Sequence, residues 1–273
     1  MTTEANSATP AGWTAHTAAV GGGEISYLRG GGGPSVLVLP RDTGHAPRQE
    51  FLDLLAAHST VYYPFLPGFH GGDPAGWEWL GNVRDMAVVL RQFVDGLNAG
   101  KMSLVGLGFG GWIAAEMATM AGSALDALVL VAPMGIQPKS GQIYDQFLVS
   151  TEAYARQSFA NQDLFDAIYT AEPGFAQLES WETDREMTSR LAWKPYMYNY
   201  TLPGLLRGLG TPTLIAWGDT DEVVPLECGD LYRAALPNAK LEIISRAGHA
   251  LDLEQPDALA AKVAAFLQTT RTR

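Results

Sequence analysis

Short apolar runs alternate along this chain with stretches of helical period. The runs are Ile25 to Arg29, Ser35 to Leu39, Val61 to Phe65, Met102 to Leu107, Leu125 to Val131, Thr213 to Trp217 and Leu241 to Ser245, each bounded by turn residues. Several are apolar at nearly every position, as strands buried on both faces must be. Between them, Arg48 to Ala57, Val83 to Leu97, Phe109 to Met120, Leu226 to Ala235 and Asp257 to Thr269 repeat with helical spacing. This alternation predicts an α/β fold built on a doubly wound, mostly parallel sheet. The first strands, linked through Gly30-Gly31-Gly32-Gly33-Pro34, are expected to form an antiparallel start.

The pattern changes between Pro133 and Pro212. No buried-strand run occurs there, and aromatic-rich segments such as Tyr144 to Ser158, Gln162 to Thr170 and Glu186 to Trp193 read as helices. We expect residues 134–211 to form a helical cap inserted into a core of residues 13–133 and 212–273, with residues 1–12 as a flexible tail. Caps of this kind cover apolar pockets at the carboxyl ends of strands. Most of the aromatic residues are expected to serve packing, and a minority to line a pocket.

Composition narrows the partners. The 273 residues suffice for one large core, with 47% hydrophobic and 17% charged residues and a formal net charge of -11. No cluster of Lys and Arg with interleaved aromatics is present, so nucleic acid and anionic membranes are poor partners and a small molecule is the expected one. The single cysteine, Cys228, rules out an internal disulfide and a multi-cysteine metal site, and reads as a half-buried structural thiol. Met1 to Gly12 lacks the basic and apolar regions of a secretory signal, and Ser103 to Gly122 is interrupted by Glu116 and glycines, a poor membrane span. A cytoplasmic monomer or homodimer without cofactor is the expectation.

Three motifs carry chemistry. Val105-Gly106-Leu107-Gly108-Phe109-Gly110-Gly111 joins a predicted strand to a predicted helix, the setting of a nucleophile elbow, G-x-S-x-G, with glycine at its centre. Further on, Ala216-Trp217-Gly218-Asp219-Thr220-Asp221-Glu222-Val223-Val224-Pro225 places an acidic turn after a strand. Ser245-Arg246-Ala247-Gly248-His249-Ala250-Leu251-Asp252-Leu253-Glu254-Gln255-Pro256 then places one histidine after the last strand. With these pieces in the order elbow, acid, histidine, the chain resembles the capped α/β-hydrolase family from about Gly22 to Leu267. By position, the resemblance implies Asp221 as the acid, His249 as the general base and Gly108 at the nucleophile's site. Asp219 is the alternative acid, or a turn-capping carboxylate.

The resemblance has departures. Family members usually carry His-Gly after the third strand, where this chain has Leu39-Pro40-Arg41-Asp42-Thr43-Gly44-His45. The Phe109 N–H, at a helix start, still suits an oxyanion, and the second donor is the N–H of Arg41 or Asp42. Arg41 suits a carboxylate or enolate and Asp42 repels one, unless the two pair within the loop. His45 and His70 lie on loops at the same end, as pocket or surface residues. With Asp42 and Asp73 they lack the spacing of a metal site.

Neither Ser103, inside the strand, nor Thr119, far along the helix, can occupy the elbow tip. Three readings follow. In the first, His249 and Asp221 form a dyad that activates water for ester, lactone or carbon–carbon hydrolysis, or takes a proton from a small, largely apolar substrate in a lyase or isomerase reaction. The second is a non-catalytic small-molecule binding protein. The third is an ordinary serine hydrolase carrying glycine for serine at position 108. Leu107 and the missing His-Gly argue against the third, because one substitution does not change all these positions.

Overall fold

A computed structural model of the chain describes residues 12–73, 75–121 and 124–271. Apart from Gly12, the expected tail lies outside the described residues. Eight strands, β1 (Trp13–Val20), β2 (Gly23–Gly31), β3 (Ser35–Leu39), β4 (Thr60–Pro64), β5 (Met102–Leu107), β6 (Leu125–Val131), β7 (Thr213–Gly218) and β8 (Ala239–Ile244), form one sheet in the order β1-β2-β4-β3-β5-β6-β7-β8. From β4 onward all neighbours are parallel.

The antiparallel start differs from the expected one. β1 pairs with β2 across a turn at Gly21 and Gly22, and β2 pairs antiparallel with β4, which separates it from β3. The glycine-rich link therefore crosses between strands that do not touch. β1 escaped the hydrophobic pattern because only Trp13 and Val20, at its two ends, are buried.

Alternate side chains of the central strands feed two cores. Leu37, Leu39, Leu104, Leu128, Leu130, Ile215 and Trp217 meet helices α2 (Val83–Gly96), α3 (Phe109–Ala121) and α8 (Glu227–Ala235) on one face. Val36, Val38, Val105, Val129, Leu214 and Ala216 meet α1 (Glu50–Ala56) and the long C-terminal helix on the other. This two-sided burial explains why the strands read as continuous apolar runs. Cys228 is fully buried, deeper than expected, with its thiol directed at the Ile136 carbonyl.

Between β6 and β7 the chain inserts helices α4 (Thr151–Gln157), α5 (Gln162–Tyr169), α6 (Phe175–Ala192) and α7 (Leu202–Leu206). Ser150 and Asn161 cap the first two by accepting the N–H of Ala153 and Leu164. α6 begins well before the predicted Glu186. Its inward face, Trp181, Asp184, Met187, Thr188 and Leu191, keeps helical spacing but contains two polar residues that hide the apolar stripe. After β8 come a short turn of helix, α9 (Leu251–Glu254), and α10 (Pro256–Arg271).

Strand order reverses between β3 and β5, so the segments leaving their carboxyl ends diverge and open a crevice, the usual ligand position in such sheets. Helix α3 comes very close to β3 there: a Cβ on Gly110 would stand 2.3 Å from the Pro40 carbonyl oxygen and 2.4 Å from that of Leu39. We expect Gly110→Ala to lower stability by about 1–3 kcal/mol through overpacking. Gly96→Ala, whose Cβ meets nothing within 4 Å, should be neutral or stabilising by up to about 1 kcal/mol. Urea unfolding of the two variants decides this, and a Gly110→Ala protein as stable as the parent contradicts the packing argument.

Candidate functional site

Gly108 sits at the tip between β5 and α3 with φ +50°, in the left-handed region. Its N–H donates to the Val131 carbonyl (2.9 Å), and its own carbonyl accepts from Gly111 (3.0 Å) and Met134 (3.2 Å). Glycine adopts this conformation without steric cost, and no side chain projects from the turn. A Cβ at 108 would lie 2.8 Å from His249 Nε2, 3.2 Å from Arg41 Cγ and 3.6 Å from Arg41 Cδ. Those two side chains border the point where a side chain would begin. Ser103 is buried within β5, and Thr119 bonds the Glu116 carbonyl (2.7 Å); neither comes to the tip.

Asp221, in the turn after β7, and His249, in the loop after β8, meet at 2.9 Å between Oδ2 and Nδ1. Both side chains are excluded from solvent. The other Asp221 oxygen accepts the N–H groups of Val223 and Val224, each at 2.9 Å, which fix the carboxylate. With Nδ1 engaged, Nε2 faces Gly108, buried and without a hydrogen-bond partner. Asp219 instead accepts the Arg246 N–H (2.8 Å) and closes the turn between the two loops.

Arg41 and Asp42 do not pair with each other. Arg41 Nη1 donates to Asp252 of α9, and both are buried. Burial opposes the Arg41 charge, but Asp252, Tyr169, Tyr63 and Asp42 together hold its pKa above the ordinary value. Asp42 faces the inserted helices and accepts from Tyr154 Oη (2.7 Å) and Gln146 Nε2 (3.0 Å). The two side chains leave the strand end in different directions, which the sequence alone could not show. Phe109, first residue of α3, is fully buried, with its ring edge-on to Trp112. Its N–H belongs to the first turn, where helical partners are lacking.

Neither loop histidine joins this group. His45 stacks on Tyr63 and Phe65 with ring centroids 3.9 Å and 4.0 Å away, and its Nε2 lies 2.9 Å from the Pro64 carbonyl. Burial lowers its pKa to about 4, so the ring is neutral and donates there. The His70 side chain is exposed; only its N–H is engaged, donating to Asp184 Oδ1 (2.7 Å).

Several site residues had weak sequence signals. Asp252 and Glu254 lie inside the histidine motif, and Glu254 accepts the N–H groups of Gly248 (2.6 Å) and Asn161 (2.8 Å), joining the histidine loop to the insert. Tyr154 was one aromatic residue among many. Asp184 is fully buried on α6, and its Oδ2 has no partner. Among the described residues, no group of three or more His, Cys, Asp or Glu is arranged to hold a metal ion, and no helix is long and apolar enough to cross a membrane.

Comparison with known proteins matches residues 29–262 to the alpha/beta hydrolase family. The polyketide synthase ThaQ of Burkholderia thailandensis is 27% identical over 92% of this chain, and 12% of that protein is covered. A 2-hydroxy-6-oxononadienedioate/2-hydroxy-6-oxononatrienedioate hydrolase of Pseudomonas putida is 25% identical over 66% of this chain and 68% of that one. The match spans well under two thirds of two of these relatives, 12% of ThaQ and 24% of the uncharacterized hydrolase YugF of Bacillus subtilis. The crystal structure of a membrane phospholipase A, a bacterial virulence factor, superimposes with a TM-score of 0.80 at 22% identity, covering 96% of this chain and 88% of that one, a likeness of fold.

The Asp184 carboxyl generates a pH prediction. Burial pushes its pKa up to about 8, assisted by the nearby Asp42 charge and opposed by the His70 N–H. The folded chain then keeps a proton that the unfolded chain releases near pH 4, so this group's contribution to stability falls as pH rises from about 4 to about 8. Asp184→Asn should gain in melting temperature relative to the parent across that window, with the gain levelling off above pH 8. A difference between the two proteins that does not change with pH contradicts this.

Proposed function

The chain belongs to the alpha/beta hydrolase family, and from that premise we propose an enzyme in which His249, oriented by Asp221, acts as general base with no serine nucleophile. The observation that carries this is the His249 ring itself. Nδ1 is held by a carboxylate with two further N–H donors, while Nε2 is buried, unpartnered and aimed at a side-chain-free elbow. A buried bare nitrogen also occurs at His45, whose other nitrogen meets only a backbone carbonyl; His249 differs in having a fixed carboxylate on Nδ1 and Nε2 turned to a residue without a side chain.

In this reading water is the nucleophile. Nε2 takes a proton from water as its oxygen attacks a substrate carbonyl over Gly108, and the Phe109 N–H at the start of α3 stabilises the oxyanion. Asp221 stabilises the imidazolium. Collapse of the adduct breaks the carbon–oxygen or carbon–carbon bond, and the imidazolium returns its proton to the leaving group. The products are a carboxylic acid and an alcohol, or an acid and a carbonyl compound. The Pseudomonas relative, named for hydrolysis of 2-hydroxy-6-oxo dioates, favours the carbon–carbon branch.

Residues 134–211 act as the cap over this site, on a core of residues 13–133 and 212–273. The bonds from Tyr154 and Gln146 to Asp42 support that role. A second reading, direct removal of a substrate C–H proton by Nε2, draws on the same free nitrogen.

Esters, lactones and vinylogous 1,5-diketones form the screen for activity. We expect His249→Ala to lower the activity found there by about 10²–10⁴-fold, with one solvent ¹⁸O entering the product acid and no burst of leaving group. Unchanged turnover in that variant, or a burst marking an acyl-enzyme, overturns the proposal. Deuterium exchange without ¹⁸O uptake selects direct proton removal instead. Gly108→Ser should not restore serine catalysis: its Cβ meets His249 and Arg41 at positive φ, and we expect a loss of about 1–3 kcal/mol in stability together with reduced turnover.

A further inference from the structure

Helix α6 turns Trp181, Asp184, Met187 and Leu191 to the body of the protein and a long stripe to solvent. On that stripe Glu179, Glu182, Glu186, Arg190 and Trp193 follow one another at helical spacing, all of them exposed. The segment before α4 flanks the same face. Phe147 meets Trp193 edge-on at 5.2 Å and Tyr196 at 5.6 Å between ring centroids, so the aromatic group is held in place by its own packing. Beside it Leu148 is 81% exposed, and Trp193 is 57% exposed. Large apolar side chains grouped and ordered in water mark a contact surface.

Charge is divided on either side of the Phe147 ring. Towards the end of α6 the ring borders an open hollow whose other walls are Ser189, Arg190, Trp193 and Lys194. Towards the start of the helix it borders a second hollow, walled by Glu179, Glu182, Glu186 and Arg185. Arg185 is engaged within the chain, donating to Glu182 (2.7 Å) and to the Val149 carbonyl (2.9 Å). The first hollow is therefore basic and the second acidic. Arg190 and Glu186 of one chain stand 3.9 Å apart, with the Glu186 side chain almost wholly in solvent, a loose pair that another charge can replace.

We propose that this face docks a second copy of the chain, in a two-fold dimer with the two α6 helices antiparallel. A two-fold axis midway between Glu186 and Arg190 sets Arg190 against the partner's Glu186. Glu182 and Lys194 have the same midpoint in the sequence, so Lys194 meets the partner's Glu182 in the same register. Each pair is made twice. Phe147, Leu148 and Trp193 of both copies close around the axis as an apolar centre with the charges as its rim, the usual plan of an interface. Two molecules of net charge -11 repel one another over most of their surface, so a self-contact needs a face that carries both signs. A different partner would need only one sign here, whereas the layout on α6 complements itself.

Analytical ultracentrifugation of the full chain at low salt, from about 1 to about 100 µM, tests this. The parent should be dimeric at the upper end of that range, and added salt should raise its dissociation constant. Trp193→Ala should weaken the dimer about 30-fold, the scale of a central aromatic anchor. Arg190→Glu and Glu186→Arg should each weaken it at least about tenfold by setting like charges together. The double variant restores both pairs between the subunits with their signs reversed, and should return the dissociation constant to within about threefold of the parent. These side chains are exposed, so the monomer fold should be kept, and circular dichroism checks that it is. A parent that stays monomeric throughout overturns the proposal, including one that binds phosphatidylcholine vesicles through this face instead. A dimer indifferent to Arg190→Glu and Trp193→Ala, or a double variant no tighter than the single ones, overturns it as well.

Discussion

The end of the sheet is organised by one close approach, that of helix α3 to the end of strand β3. At Gly110 backbone meets backbone, with the Leu39 and Pro40 carbonyls standing where any side chain would have to go. A contact of this kind cannot be relieved by a change of rotamer, because no rotamer is involved. It draws the start of α3, and with it Gly108, to the point where the strand order reverses. The segments after β3, β5, β7 and β8 then converge, bringing Arg41, Gly108, Asp221 and His249 into one small volume.

That volume is crowded with charge, and the compensation of each charge shows how the loops are held. Asp221 has two backbone N–H groups and an imidazole, Asp42 has a phenol and an amide, Asp252 has a guanidinium, and Glu254 has backbone N–H groups from two segments. Asp184, with one N–H and a bare second oxygen, is left without such compensation and keeps its proton instead. The insert is consequently joined to the core in two different ways. Near Ser158 and Asn161 the bonds involve main chain, including Ala250 N–H to the Ser158 carbonyl at 2.8 Å, and the insert's aromatic core takes in Ala250 and Leu253. At Asp42 the join is made by side chains alone.

Much of this was legible in the residues. The central strands declared themselves because burial on both faces leaves no polar phase to confuse, and the turn glycines, Asp221 and His249 stood at fixed offsets from strand ends. What escaped had physical reasons. β1 is exposed along most of its length, so its pattern resembled a loop. α6 hides Asp184 and Thr188 in its inner face, which breaks the stripe that marks a helix. The Arg41 partner was the least accessible: an adjacent aspartate invites pairing within the loop, whereas the turn after β3 sends Arg41 to Asp252 and Asp42 to Tyr154 and Gln146. Asp252, 211 residues on in sequence, is brought to Arg41 only by the fold.

The likeness to solved structures has a limited reach here. A TM-score of 0.80 at 22% identity is a likeness of fold alone, and in this chain the sheet and its crossovers set where backbone positions 41, 108, 221 and 249 stand. It leaves open what those positions carry. At 108 this chain removes a side chain, and at 41 it supplies a long cation whose stem lies beside the freed space. These two features are complementary in volume: a side chain at 108 would displace the arginine and the imidazole together. Glycine at the elbow is therefore coupled to the residues around it, and its meaning comes from Arg41 and His249 more than from the motif in which it sits.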